Sequence, residues 1–134
     1  MGMINLDRGG SSDLGGLTDG RPSDWKFVII DTADTRYLVL GPVSKYRYHA
    51  GIVNRFCELR GVACHTVKKP ALVEILDKAV TVRGGGRVRF DEALKTLVFF
   101  DTSSAYGGFS ERDLREILHA VKLFDGMAVR IVRS

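Results

Sequence analysis

Residues 25–30 read Trp-Lys-Phe-Val-Ile-Ile. Nearly all of them are aromatic or β-branched, and a short apolar run of this length is typical of a buried strand. A turn near Asp34 leads to a second β-rich segment at residues 36–40. Gly41 and Pro42 then end that segment. The sequence therefore predicts a β-hairpin that begins at Trp25.

The residues before this hairpin have a different composition. Residues 1–24 contain six glycines and four aspartates and have little periodic apolar pattern. Such a segment buries too little apolar surface to fold on its own. We therefore expect residues 1–24 to form a flexible N-terminal tail and residues 25–134 to form a single domain.

The chain after the hairpin is predicted to contain both helices and strands. Apolar residues at helical spacing, followed by Gly61, predict a helix over roughly residues 46–60. Ser110, with Asp113 three residues later, is a weak capping-box variant that predicts the start of a second main helix. Strands are predicted at residues 62–67, 79–82, 88–90, 94–100 and 127–132, and a short helix at residues 70–78. The predicted fold class is α+β, a mixed, mostly antiparallel sheet flanked by two main helices.

Composition narrows the class of protein. The chain has 134 residues, of which 45% are hydrophobic and 27% charged, as in an ordinary globular domain. It has no apolar run that would span a membrane and no basic start followed by an apolar run. The two cysteines, Cys57 and Cys64, are too few for a disulfide scaffold. We therefore expect a cytoplasmic protein with reduced thiols and no membrane contact.

Charge indicates an anionic partner but does not identify it. The net charge is +4, and residues 25–134 hold 18 basic and 12 acidic side chains, which gives that part +6. A basic domain attracts anions, and these include phosphorylated groups and nucleic acids.

Several familiar phosphate chemistries are missing from the sequence. The triglycine at residues 84–86 leads to Arg87 and lacks the Lys-Ser/Thr of a Walker loop. Neither cysteine is followed by an arginine at the distance that a cysteine phosphatase loop needs. No His, Cys, Asp or Glu cluster has an obvious metal-site spacing. We therefore expect neither a metal nor another cofactor.

Three short segments remain as candidates for chemistry. They are Tyr48-His49-Ala50 at a predicted helix start, Gly84-Gly85-Gly86-Arg87 at a predicted strand end, and Ser103-Ser104-Ala105-Tyr106-Gly107 in a predicted loop. A helix N-terminus binds anions through its unpaired N–H groups, and its dipole keeps a histidine there neutral. Glycines let backbone amides approach a ligand, and an arginine can hold two phosphate oxygens at once.

Together with the opening strand, and in this order, these segments resemble the phosphohistidine phosphatase family, also called Janus/Ocnus. The resemblance covers about residues 25–134. It implies metal-independent hydrolysis of the P–N bond of phosphohistidine in proteins. It also implies a monomer whose partners are histidine-phosphorylated proteins, without nucleic acid or membrane.

The resemblance further implies roles for individual residues. His49 matches the catalytic histidine, usually described as the proton acceptor. The matching substrate and phosphate-binding positions are Lys26, Arg87, Ser103, Ser104 and Ala105, with backbone contacts from Tyr48 and Ala50.

The chain departs from the family pattern in several places. The segment around residues 65–78 looks inserted, and the first hairpin looks short. Ser104 stands where a larger apolar residue is usual. The insertion is expected to reshape the substrate entrance and to affect the choice of target more than the chemistry.

The sequence leaves the mechanism and two alternatives open. His49 is either a general base toward water or a nucleophile that becomes phosphorylated. In both cases kcat/KM should fall on the acid side, with an apparent pKa near or below about 6.5. The alternatives are a non-catalytic phosphoprotein-binding member of the family and a basic nucleic-acid-binding module.

Overall fold

The computed structural model describes residues 1–18, 24–68 and 71–132. They form one six-stranded sheet and a separate two-stranded hairpin. The elements in chain order are β1 (Gly2–Asn5), β2 (Trp25–Asp31), β3 (Arg36–Pro42), α1 (His49–Arg60), β4 (Cys64–Val67), β5 (Leu72–Ile75), β6 (Thr81–Asp91), β7 (Thr96–Phe100), α2 (Glu111–Ala120) and β8 (Ala128–Ile131).

The predicted α+β class is confirmed. The strand order of the large sheet is β1-β3-β2-β6-β7-β8. The three central pairs are antiparallel and the two outer pairs are parallel. The small hairpin pairs β4 with β5, also antiparallel. Within the described residues, no helix combines the length and hydropathy needed to cross a membrane.

The opening strand, β2, is buried on both faces, as its apolar run predicts. Phe27 and Ile29 face the layer that holds α2, and Val28 and Ile30 face the layer that holds α1. This alternation is the two-residue period of a strand. On the α2 side, the Phe27 ring makes edge contacts with two other aromatic rings, those of Phe99 and Phe109.

The expectation of a flexible tail over residues 1–24 is wrong for residues 1–18. Strand β1 pairs in parallel with β3, and Ile4 is buried against the α1 layer. The buried Asn5 side chain donates to the carbonyls of Asp13 and Gly15, at 2.8 and 3.0 Å. Leu17 is buried in the α2 layer. Backbone pairing and side-chain amide bonds therefore hold a segment whose composition alone predicts no structure.

The short helix predicted over residues 70–78 is also wrong for the residues that the structure describes. Pro70 lies outside them. Residues 72–75 form strand β5, with Val73 buried and Glu74 exposed. A helical stripe would fit Leu72, Ile75 and Leu76. The backbone hydrogen bonds of this segment are made instead with β4, as in an antiparallel pair of strands. The chain therefore has a β-hairpin here.

The triglycine lies inside one long strand and does not end a strand as predicted. Strand β6 runs through residues 84–86, and its pairing with β2 shifts by one residue between Val28 and Ile30. Gly84 has φ +105°, which a residue with a Cβ rarely adopts. The resulting bulge sets the register that places Arg87 opposite Lys26.

Candidate functional site

His49 is the first residue of α1 and is buried. Its Nε2 lies 2.9 Å from the carbonyl oxygen of Gly86 on β6. The glycine at position 85 permits this approach, because a Cβ there would lie 3.2 Å from His49 Cδ2 and would collide with the Phe27 carbonyl oxygen. The predicted helix start and the predicted glycine segment therefore meet at the histidine ring.

The hydrogen bond assigns the proton on the ring. A carbonyl oxygen only accepts, so Nε2 carries the hydrogen and Nδ1 of a neutral ring is left as the acceptor. Burial lowers the pKa of His49 below its usual value, and the nearby charges of Lys26 and Arg87 lower it further. The Gly86 carbonyl and Asp101 act in the opposite direction. The lowered pKa favours the neutral imidazole, which is the form that the sequence predicts, and its main cause is burial.

Two cations lie side by side next to this ring. Lys26 on β2 and Arg87 on β6 are direct cross-strand partners. Lys26 is buried, and its Nζ donates to the Arg47 carbonyl. Burial lowers the pKa of Lys26, and Arg87 lowers it further. Since like charges directly opposite each other destabilise a sheet, an anion between them would offset the repulsion.

Arg87 is not an unoccupied phosphate ligand. Its guanidinium lies 3.6 Å from an Asp24 carboxylate oxygen and 3.4 Å from an Asp101 carboxylate oxygen. All three side chains are partly exposed. A bound phosphoryl group must therefore compete with these carboxylates or share the guanidinium with them.

The loop that follows β7 reaches the same region through its backbone. The Gly85 N–H donates to the Gly107 carbonyl at 3.2 Å, and Ser103 and Gly107 bond to each other in both directions. Ser103 is buried, and its Oγ accepts from the Tyr106 N–H at 3.1 Å. Ser103 therefore shapes the loop, and the loop is fastened to the glycine segment beside His49.

Tyr106 fastens the other side of this loop to the β4–β5 hairpin. Its hydroxyl accepts from the Val73 N–H at 2.9 Å and donates to the Val73 carbonyl at 3.0 Å. Its ring packs in the α1 layer. The segment that the sequence marks as an insertion is therefore connected directly to the candidate phosphate loop.

The remaining predicted site residues are placed less centrally. Ala50 is buried in the first turn of α1, next to His49. Ala105 is partly buried, Ser104 is exposed, and Tyr48 is exposed with its ring under the Arg47 guanidinium. The structure thus brings together Lys26, His49, Ala50, Arg87 and Ser103, and leaves the side chains of Tyr48 and Ser104 at the surface.

The other two histidines and Cys57 are not part of this cluster. His65 is exposed on β4, and His119 is exposed near the end of α2. Cys57 is buried in α1, where burial raises the pKa of its thiol to about 12. Phe100, the cross-strand partner of Arg87, is only partly buried, and the apolar cluster under α1 includes no β7 residue among those described.

Sequence reasoning missed the two carboxylates at Arg87 and the Arg47 carbonyl at Lys26. Asp101 directly follows β7 and has a φ of +65°, which aspartate tolerates better than most residues. Nothing in the local sequence signals that Asp24 or Asp101 would reach Arg87. Their proximity depends on the pairing of β2, β6 and β7.

Within the described ranges, no group of three or more His, Cys, Asp or Glu side chains is placed to hold a metal ion. A comparison with models of known protein families finds no match, and a comparison with curated proteins finds none either.

Proposed function

We propose that this chain is a hydrolase that acts on phosphoryl groups. More particularly, we propose a metal-independent phosphatase of phosphohistidine in proteins, as the resemblance of its motifs implies. The observation that carries the proposal is the His49 ring. Its pKa is lowered by burial, it donates from Nε2 to Gly86, and it lies at a helix N-terminus without a side-chain cap, near two cations.

The chemistry requires positioning and charge neutralisation more than bond-making by the protein. The phosphoryl oxygens would be held by Lys26, Arg87 and first-turn N–H groups of α1. Water attacks the phosphorus while Nδ1 of His49 accepts a water proton. The P–N bond breaks, and the leaving imidazole nitrogen keeps the bonding electron pair and takes up a proton from solvent, so that it departs as neutral imidazole. The proton on His49 then returns to product or solvent.

His49 could act instead as the nucleophile, and a specific measurement separates the two routes. In that route Nδ1 attacks phosphorus, the substrate imidazole leaves, and water then hydrolyses a phosphorylated His49. Rapid quenching in base, which preserves phosphohistidine, followed by mass spectrometry would detect phosphate on the His49 peptide. We favour the general base, because a ring fixed by a hydrogen bond to Gly86 and by burial has little room to approach phosphorus.

The test of the proposal is phosphate release from a phosphohistidine peptide in the presence of EDTA. We expect turnover by the wild-type chain and a loss of about 10²–10⁴-fold in the His49→Gln variant. Glutamine can still donate an N–H toward the Gly86 carbonyl but offers no base. This variant therefore separates the proton acceptor from the structural hydrogen bond.

The matched control is His119→Gln, which removes an exposed histidine from α2 and should leave turnover unchanged. Unaltered turnover by His49→Gln would remove His49 from the chemistry. If the wild-type chain binds the peptide but releases no phosphate, the site is a phosphoprotein reader and the hydrolase proposal is wrong.

A further inference from the structure

The sheet face that carries Lys26 and Arg87 continues past them without a covering helix. The apolar cluster under α1 includes no residue of β7 or β8 and no β6 residue after Val82, as far as the described residues go. This half of the face is therefore open, next to the candidate phosphate site.

Five side chains make up this open area, which we call the arginine face. Arg87 and Arg89 alternate with buried Val88 on β6. Across the sheet, Arg87 pairs with Phe100 on β7. Two residues further along β6, Arg89 pairs with Val98 on β7, and Val98 pairs with Arg130 on β8. The arginine face is therefore Arg87, Arg89, Val98, Phe100 and Arg130.

The two outer arginines of this face are unneutralised. Arg89 and Arg130 are both exposed, and neither has a carboxylate within ion-pair distance among the residues that the structure describes. The Arg89 guanidinium lies 5.2 Å from the centre of the Phe100 ring, a contact that orients the side chain across the face. Val98 is only 7% exposed, and its cross-strand neighbours Arg89 and Arg130 have aliphatic stems suited to cover it.

The arginine face also adjoins a concave surface. Arg87 and Arg89 line a groove of about 650 Å³ whose other lining residues include Asp24, Pro42 and Ser44. Arg87 therefore belongs both to the candidate phosphate site and to the groove beside it.

We propose that the arginine face binds an acidic segment of the protein substrate that flanks the phosphohistidine. This inference rests on the proposed function and names the kind of substrate that the site accepts. Two unneutralised guanidinium groups select carboxylates, and arginine binds them in a bidentate manner. The site thus discriminates among phosphohistidine proteins by charge beside the phosphorylated residue.

Strand geometry sets the spacing of the acidic residues. Arg89 follows Arg87 by two residues, about 7 Å along the strand, and Arg130 lies two strands away, about 12 Å from Arg87. An extended peptide advances about 3.3 Å per residue. The favoured acidic residues therefore lie two and about four positions from the phosphohistidine.

A nucleic acid fits this surface less well. The Phe100 ring already has the Arg89 guanidinium over it, so it does not present an open face for a base to stack on. The carboxylates of Asp24 and Asp101 at Arg87 interrupt the row of cations that a phosphate backbone would follow.

The test uses two phosphohistidine peptides that differ only at positions two and four from the phosphohistidine, with glutamate in one and glutamine in the other. We expect the wild-type chain to have about tenfold higher kcat/KM for the glutamate peptide at low salt, and less at high salt. The double variant Arg89→Glu, Arg130→Glu should lose this preference. The control Arg112→Glu, on the opposite layer with a side chain 87% exposed, should keep it.

Two further readouts keep the outcomes distinct. Hydrolysis of phosphoramidate, which is too small to reach Arg89 or Arg130, reports the chemistry alone and should be equal in all these proteins. Fluorescence anisotropy of both peptides, carrying a non-hydrolysable phosphohistidine analogue, reports binding without turnover. If phosphoramidate and peptides are not hydrolysed, the proposed function fails, and the anisotropy preference still decides the role of the arginine face.

The inference is overturned if the wild-type chain treats the two peptides alike, or if Arg112→Glu reduces the preference as much as the double variant does. It is also overturned if the double variant loses binding of a labelled single-stranded oligonucleotide at physiological salt while its peptide preference is unchanged. That last result would assign the surface to nucleic acid.

Discussion

The two helices begin in opposite ways. Helix α2 follows Ser110, whose Oγ accepts a hydrogen bond from the Asp113 N–H at 3.2 Å, and its first turn carries Glu111 and Asp113. Helix α1 follows Tyr48, which provides no side-chain cap, and its first turn has no acidic residue. A helix N-terminus behaves as about half a positive charge. The acidic residues in the first turn of α2 neutralise that charge, and the first turn of α1 has none.

The side chains around the two N-termini increase this contrast. The buried Asp113 carboxylate lies 2.9 Å from guanidinium nitrogens of both Arg36 and Arg83. At α1 the buried group is the neutral His49 ring, and the nearby charges include Lys26 and Arg87. The first turn of α1 carries no carboxylate of its own, and the carboxylate that acts on His49, Asp101, belongs to the loop after β7. This is the arrangement expected of a helix whose N-terminus binds an external anion.

The largest effect should come from removing the internal anion of α2. Asp113→Ala removes two charge-assisted hydrogen bonds, from Arg36 and Arg83, which keep Asp31 as a partner, and we expect a loss of about 3 kcal/mol in the free energy of unfolding. Urea unfolding would measure it. Glu111→Ala is the control, because its exposed pair with Arg115 should be worth about 0.5 kcal/mol or less. Equal losses in the two variants would contradict a special role for the buried carboxylate.

The next effect should come from giving α1 an acidic first turn. Gly51 is exposed, and a Cβ there meets only Tyr46, at an ordinary 3.4 Å. We expect Gly51→Asp to weaken binding of a phosphohistidine analogue peptide by about ten- to a hundredfold, because a carboxylate beside the helix N-terminus repels the phosphoryl group. Isothermal titration would measure the affinity.

Gly51→Ala is the matched control for that variant. It makes the same backbone change without charge, stabilises the helix by about 0.5–1 kcal/mol, and should leave the affinity unchanged. Equal affinities in the aspartate and alanine variants would place the anion site away from the start of α1.

Removing the cap of α2 and adding one to α1 should change the stability of the protein by smaller amounts, with opposite signs. Ser110→Ala should cost about 1 kcal/mol of stability, because the Asp113 N–H loses its acceptor. Tyr48→Ser should add a similar amount by supplying the cap that α1 lacks, and it should weaken phosphate binding by engaging first-turn N–H groups. Thermal unfolding of both variants tests this, and a destabilised Tyr48→Ser would argue against an open N-terminus.

The last of these effects concerns the pH dependence of stability. Because the pKa of His49 is lowered in the folded state, the unfolded chain binds a proton more readily between that lowered pKa and about 6.5. Stability should therefore fall as the pH decreases through this window. Urea unfolding at pH 7.5 and 5.5 should reveal a smaller decrease in His49→Gln than in the wild-type chain. An equal decrease in both would mean that other groups cause it.

Local sequence pattern was sufficient to predict those helices and strands whose structure depends on residues close together in the sequence. The apolar run of β2, the stripe of α1 and the Ser110 cap were all predicted, and each depends on residues within a few positions of one another. Strand β1 was not predicted, because it has only four residues, lies in a glycine-rich segment and depends on pairing with β3 for its stability. Strand β5 was missed because its apolar residues also fit a helical stripe.

The candidate site was predictable in its cations and its histidine but not in its carboxylates. His49 and Arg87 stand in segments with their own chemical pattern, and Lys26 stands in the opening strand. Asp24 and Asp101 reach Arg87 only through the pairing of strands distant in sequence. Arg89 and Arg130 likewise become one surface only through the β6–β7–β8 register.

The most direct test of the central claim is an NMR titration of the His49 imidazole. A neutral ring at an open, cationic helix N-terminus should have a pKa below about 6.5, with the proton of its neutral form on Nε2. The acid limb of the kcat/KM profile should have the same pKa. A pKa at or above 6.5, or a neutral form protonated on Nδ1, would contradict the role we assign to His49.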